Sequence, residues 1–271
     1  MYQFNSTRLL ANVAGRKRRT ASVGAIVFAL TFFLPIPALA DTLWYNGDFA
    51  SNSFGVLNGI NMTFEGEFST AGTATVYDDF NVPAEIAGWH IDTLWSDDLM
   101  TFTGVTQATW SIRTDLASGD PGTLIASGTS AATQTPTGRS LFEFTEFTIQ
   151  VSGLAIDLVS GTYWLAVTPH GFGGDQASLN SKTDGLNAIG TPAGNNGNAF
   201  LDSLPLNADF EALDDLFTRA DFSMGVAGHV VAAQSVAEPS SFTLMMFGLV
   251  GLVVMTSGTK EKQKTRRCSK K

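Results

Sequence analysis

Between residues 41 and 232 apolar and polar residues alternate with period two, in short runs cut by Gly, Pro, Asn and Asp. That is the pattern of half-buried β-strands rather than helices. Leu43-Trp44-Tyr45 opens the series and Asn46-Gly47-Asp48 turns it. Met62, Phe64, Gly66 and Phe68 alternate with polar partners, and strands are predicted over Thr73–Val82 and Ile86–Trp95, split by Pro83. Thr109–Thr114, Thr123–Ala126, Leu154–Leu158, Thr162–Thr168 and Asp221–Val231 follow as strands. Leu141–Val151 is a further strand whose Phe142, Phe144, Glu146 and Thr148 share one face, which predicts a bulge or a change of face midway. Residues 52–61 read as loop, and 170–209 as a long Gly- and Asn-rich excursion. Phe210–Thr218 carries the one helical period of any length.

Nine or ten short strands with almost no helix predict an all-β fold, an antiparallel two-sheet β-sandwich of jelly-roll-like form. First and last strands lie side by side in such folds, which sets both ends of the domain together. No internal repeat is present, which argues against propellers and solenoids.

Two segments outside this pattern carry a different message. Arg16-Lys17-Arg18-Arg19 precedes an apolar run of 14 residues, Ala21–Leu34, then Pro35, Pro37 and Ala38-Leu39-Ala40. This is the layout of a helical signal peptide over residues 1–40, with cleavage expected between Ala40 and Asp41. Arg18-Arg19 raises a twin-arginine route, but Thr20-Ala21-Ser22 fits it poorly, so the general secretory route is expected. At the other end, Ala237-Glu238-Pro239-Ser240 is followed by an uncharged apolar stretch over residues 242–258 and a basic tail over 260–271. Seventeen apolar residues make a transmembrane helix of about 25 Å, at the short limit for a span. The basic tail would stay on the cytoplasmic side. The domain proper is therefore 41–232, flanked by the signal-peptide helix and by a C-terminal segment, 233–271, with its hydrophobic helix.

Charge sharpens the contrast. Residues 41–236 hold 4 Lys and Arg (Arg113, Arg139, Lys182, Arg219) against 23 Asp and Glu, a net charge of −19 inside a chain of −9. Such a surface repels phosphate, so nucleic acid is not an expected partner. The single cysteine, Cys268, lies in the basic tail, so the domain has neither a disulfide nor a thiolate metal site.

The order of motif, apolar helix and basic end resembles the PEP-CTERM sorting segment of exported bacterial proteins. The domain is similar to a β-sandwich that recurs in such proteins, through Val76-Tyr77-Asp78-Asp79-Phe80-Asn81-Val82-Pro83, Trp89 to Trp95, Ser111-Ile112-Arg113-Thr114-Asp115, Asp120-Pro121-Gly122, Pro136-Thr137-Gly138 and Ser160-Gly161-Thr162-Tyr163-Trp164-Leu165. The resemblance implies an exosortase-type membrane transpeptidase that cuts near Glu238-Pro239 and delivers the protein to the cell surface or an exopolysaccharide matrix. Ala237 stands where that motif has its first proline. No activity is attached to the domain by the resemblance.

Catalytic patterns are thin. His90, His170 and His229 have no HExxH or paired spacing, and no GxSxG elbow occurs. His170, between Pro169 and Gly171, is the histidine at a loop mouth. With 23 acids a glycosidase-like pair can always be picked, so choosing one carries no information. Asp78-Asp79, Asp97-Asp98, Asp214-Asp215 and Asp48 are oxygen donors of the kind Ca²⁺ takes, though no DxDxDG loop is present; otherwise they read as solvated acids at strand ends and turns. Of the five tryptophans, Trp164 reads as core, and Trp95, beside Ser96-Asp97-Asp98, is the candidate for stacking on a sugar ring. The reading is a non-catalytic surface or matrix protein with no catalytic residue and no required cofactor. A glycan-binding module, with structural calcium compatible, is the alternative, and a polysaccharide hydrolase stands behind both.

Overall fold

The computed structural model describes residues 40–50, 54–62, 72–173, 176–192, 196–216 and 220–232. The signal-peptide helix, the strand residues 63–68, Ala237-Glu238-Pro239-Ser240, the apolar stretch 242–258 and the basic tail lie outside them. Among the described residues no helix is long and apolar enough to cross a membrane.

The strands are β1 (Asp41–Tyr45), β2 (Val56–Leu57), β3 (Gly59–Met62), β4 (Gly72–Val82), β5 (Gly88–Met100), β6 (Gln107–Thr114), β7 (Thr123–Leu141) and β8 (Phe144–Leu158). They continue as β9 (Gly161–Pro169), β10 (Ser178–Asn180), β11 (Lys182–Thr183), β12 (Phe200–Ser203), β13 (Ala208–Ala212), β14 (Asp221–Phe222) and β15 (Met224–Val231), with one helical turn, α1 (Leu213–Leu216), before β14. The fold is thus all-β. Its large sheet runs β1-β15-β5-β8-β7-β6-β9-β4-β12-β13, with β10 on β5, β2 on β10 and β3 on β4, while β11 and β14 form a separate two-stranded sheet. The ladders between these strands are antiparallel.

β7 makes the sheet fold back on itself. Thr123 to Ala131 pair with β6, and Ala132 to Leu141 pair with β8. The β15-β5-β8 arm and the β6-β9-β4 arm therefore share a strand and close on one core. Leu94, Ile149, Val151, Met224 and Val226 of the first arm meet Val76, Phe80, Ile112, Leu165 and Val167 of the second. Phe80 is central, with ring centroids 5.5 Å from Trp44, 6.0 Å from Trp89 and 5.6 Å from Tyr163. β1 lies on β15, Asp41 opposite Gly228, so the first and last strands are neighbours as expected.

Several boundaries differ from the sequence reading. β5 does not stop at Trp95 but carries Asp97-Asp98 within it. β7 runs through residues 127–140, where Ser, Thr and Gly replace the apolar half of the alternation and leave no hydrophobic signal. Phe142-Glu143 is the turn of the β7–β8 hairpin, which removes the need for a change of face in the following strand. The loop over 52–61 contains β2 and β3, and the 170–209 excursion contains β10 to β12 and the start of β13. Of the helix expected over 210–218, the described part is one turn, Leu213–Leu216, while Glu211 and Ala212 pair with β12 instead and residues 217–218 lie outside the described residues. Trp164 is half-buried against Phe200 in a smaller cluster with Tyr77, Leu116 and Phe210, not in the main core.

Candidate functional site

The two Asp-Asp pairs of β4 and β5 were read as solvated acids at strand ends, and the structure corrects this. All four carboxylates are buried. Successive side chains of a strand point to opposite faces, so each pair sends one acid into the core and one out of it. On β4 the inward frame is Val76, Asp78, Phe80, Val82; on β5 it is Leu94, Ser96, Asp98, Met100.

Asp78 is held by donors alone. Its Oδ2 accepts from Asn46 Nδ2 (2.9 Å) and the Phe222 amide (2.6 Å), and its Oδ1 accepts from the Asp79 amide (2.9 Å). Asn46 Nδ2 also reaches the Phe222 carbonyl at 3.2 Å, so one carboxylate ties β4 to β14 and to the turn after β1. Next to it Asp79 accepts from Asn196 Nδ2 at 2.8 Å, and Asp221 accepts from the Gly197 amide at 2.8 Å and from the Asn196 amide. Burial, then the charge of Asp221, raises Asp78 well above the usual carboxylate range. Burial raises Asp79, and burial raises Asp221 to about 6.

Asp98 makes the matching centre on the other arm. Ser96 Oγ lies 2.5 Å from its Oδ2 and 3.1 Å from the Val167 carbonyl, and Asn58 Nδ2 donates to its Oδ1 at 2.8 Å. Burial pushes Asp98 up to about 8. Ser96 Oγ thus has one hydroxyl proton for two acceptors, Asp98 Oδ2 and the Val167 carbonyl.

The outward acid of the β5 pair, Asp97, belongs to a network around Arg139. Its Nε lies 2.5 Å from Glu146 Oε2, Nη1 lies 3.0 Å from Asp48 Oδ1 and Nη2 lies 3.7 Å from Asp97 Oδ2. Thr148 donates to Asp97 Oδ1 at 2.6 Å, Ser223 Oγ lies 2.7 Å from Asp97 Oδ2, and Tyr45 Oη lies 2.8 Å from Asp48 Oδ1. Burial raises Asp97 to about 6. Burial also works against charge on Asp48, but hydrogen bonds from Asn187 and Tyr45 and the charge of Arg139 bring it below its ordinary value. Three acids with one base leave this network negative. The sequence reading gave Arg139 no role: it sits in the Gly138–Ser140 stretch, between the strands placed at Thr123–Ala126 and Leu141–Val151.

Trp95 stands beside this network, half-buried in mid-strand rather than exposed at a strand end. Gly225 faces it across the β5–β15 ladder, and Tyr45 faces Gly225. The indole lies over that glycine: a Cβ at residue 225 would sit 1.9 Å from Cζ2 of Trp95. The Tyr45 ring is 6.0 Å away on the other side. The result is one indole laid against the sheet with carboxylates and a guanidinium at its rim. Gly225→Ala is expected to lift the indole, cost about 1–3 kcal/mol in urea unfolding and change tryptophan emission; an unchanged spectrum with unchanged stability would contradict this placement.

The histidines are arranged differently from the sequence reading. Strand pairing puts His90 opposite His229, with ring centroids 4.8 Å apart. Asp157 Oδ1 lies 2.6 Å from His90 Nδ1, and Asp92 lies 3.8 Å from His90 and 3.6 Å from His229. The spacing along the chain could not show this pair, because the two strands come from opposite ends of the domain. His170 Nε2 lies 2.8 Å from Thr109 Oγ1, and burial lowers its pKa. Among the described residues no group of three or more His, Cys, Asp or Glu side chains is arranged to hold a metal ion. Asp214-Asp215, on α1, are exposed as expected. Asp41 opens β1 immediately after exposed Ala40.

Compared with known protein families and with curated protein sequences, the chain matches none.

Proposed function

We propose that this is a non-catalytic exported protein of the cell surface or extracellular matrix, delivered by its C-terminal segment. The domain is taken to be a jelly-roll-like sandwich. The supporting observation is the antiparallel β1–β15 pair, Asp41 beside Gly228. It brings the expected cleavage point at Ala40-Asp41 next to β15, the last described strand before Glu238-Pro239 in the chain. The buried acids fit the same reading, since Asp78, Asp98 and Glu146 hold strands together rather than lining an open cleft. The partners are then an exosortase-type transpeptidase and an exopolysaccharide, with the membrane holding the precursor through residues 242–258.

The test is intact-mass measurement and fractionation of the native protein. The wild type is expected outside the inner membrane with its tail removed, and the Glu238→Ala, Pro239→Ala variant to stay in the inner membrane at full tail length. A wild type that keeps its tail in the inner membrane overturns the reading.

A glycan-binding reading is favoured by Trp95. An indole held flat over Gly225, with Asp97, Arg139 and Asp48 nearby, combines an apolar face with polar groups at its edge, as sugar rings require. Trp95→Ala is expected to abolish retention on an exopolysaccharide column; retention equal to wild type removes Trp95 from the site.

A further inference from the structure

Around Asp98 the buried oxygens outnumber the donors. Asn58 cannot be turned over, because its amide nitrogen already serves both Asp98 Oδ1 and the Val167 carbonyl (3.0 Å), two acceptors. Its own Oδ1 is fully buried and has no hydrogen-bond partner. Asn180 stands opposite Asp98 in the β5–β10 ladder, on the same face of the sheet. It donates from Nδ2 to the Asp97 carbonyl at 2.9 Å and likewise leaves a buried Oδ1 with no partner. Ser178, two residues along that face and opposite Met100, has a buried, unpartnered Oγ. The Asn58 amide bonds the Ser178 carbonyl at 3.0 Å, which keeps these residues adjacent.

A buried acceptor left without a donor loses its hydration with nothing in return. Three beside one carboxylate, between the two arms of the sheet, is not what packing alone selects. Arg139 is engaged on the opposite face of β5 with Glu146, Asp48 and Asp97. We propose that Asp98, Asn58, Asn180 and Ser178 form an interior site for a calcium ion. The donor set is the argument for the ion class: a carboxylate, two amide oxygens and a hydroxyl are hard oxygen ligands, which Ca²⁺ takes six to eight at a time, with water and backbone carbonyls completing the shell. Softer metals prefer the nitrogen and sulfur ligands that this place lacks. One carboxylate makes the site a weak one, with a dissociation constant on the order of 10⁻⁴–10⁻³ M, the range of extracellular calcium modules.

The experiment uses the full exported protein, with CaCl2 as the probe and chelator as the blank. Thermal midpoints and isothermal titration are measured for the wild type, Ser178→Ala, Asp98→Asn and the exposed-acid control Asp214→Asn. Calcium at ten times the dissociation constant is expected to raise the wild-type and Asp214→Asn midpoints by several degrees, about 3–6 °C, with one ion bound at the site. Ser178→Ala removes one ligand and one orphaned oxygen. It is expected to match the wild type in chelator, or exceed it, and to bind calcium about tenfold more weakly. Asp98→Asn is expected to lose the calcium response altogether. If calcium leaves the wild-type midpoint unchanged, or raises Ser178→Ala and Asp98→Asn as much as wild type, the oxygens are met by water and the proposal is wrong. Ser178→Ala keeps the test decisive even if Asp98→Asn fails to fold.

Discussion

Replacing Asp78 with alanine is expected to be the most destabilising of the acid substitutions, at about 3–5 kcal/mol in urea or guanidinium unfolding. Three buried donors converge on this carboxylate: Asn46 Nδ2, the Phe222 amide and the Asp79 amide. Removing it leaves the two amides without that acceptor and loosens β14 from β4, next to a core in which Phe222 and Phe80 are fully buried. Asp78→Asn separates two explanations. If repulsion from Asp79 and Asp221 dominated, an uncharged amide would stabilise the protein. Because the three hydrogen-bond partners of Asp78 are all donors, an amide N–H turned toward any of them meets a donor, and Asp78→Asn is expected to destabilise as well, by less than alanine. A control at exposed Asp214 should move stability by no more than about 0.5 kcal/mol. Stabilisation by Asp78→Asn would show that the charge, not the hydrogen bonding, governs this centre.

Mild acid is expected to stabilise the domain, in chelator. Asp221 is raised to about 6, and Asp78 and Asp79 are raised with it, while the unfolded chain holds such groups near the ordinary 3.8. The folded state therefore binds protons more tightly over that interval, and stability grows as the pH falls from 8 through 6 toward about 4. The penalty is fully present above the folded values and gone below the unfolded one. Asp48 has the opposite sign, but its value is lowered, so its loss comes at the acid end of the window. Asp97 and Asp98, raised by their own burial, act in the same direction as Asp221. The base nearest the Asp78 cluster in the ladders is Lys182 on β11, opposite Phe222. A contribution of a few kcal/mol corresponds to a rise in thermal midpoint of about 5–10 °C between pH 8 and pH 5. Calorimetry across that range should show the rise in the wild type and a shallower slope in Asp221→Asn. A midpoint that falls steadily from pH 8 to pH 5 would reverse the sign assigned to these groups.

The strands with apolar alternation were legible because one face of each is packed and the other is not. β4, β6, β9 and β15 were placed within a few residues from that signal alone. Of β7 only Thr123–Ala126 was, since the half-buried positions from Gly128 to Arg139 are Gly, Ser, Ala, Gln, Thr and Arg, and a strand that joins two arms at their rim has little apolar surface to show. The acid pairs misled for a different reason. Two consecutive Asp residues read as a turn, yet the alternating frame Val76-Asp78-Phe80-Val82 already placed one of them among core residues. Read by frame rather than by neighbour, Asp78 and Asp98 are detectable as inward acids. What the frame cannot supply is the partner: Asn46, Asn58, Asn180 and Phe222 come from distant parts of the chain, and only the paired strands bring them in. The His90–His229 pair and the Arg139 network escaped for the same reason.

The pairing of β1 with β15 also governs when the domain can fold. Asp41 finds its ladder partner only at Gly228, and the edge of β5 away from β8 is covered by β15 only when Met224–Val231 exists. Contacts so far apart along the chain carry a large loop-closure cost and form slowly. A chain emerging from its N-terminus cannot complete the sheet during synthesis, since the strand that joins β1 to β5 is the last one made. The same topology that joins the two ends of the finished domain thus holds the growing chain open until Met224–Val231 is made.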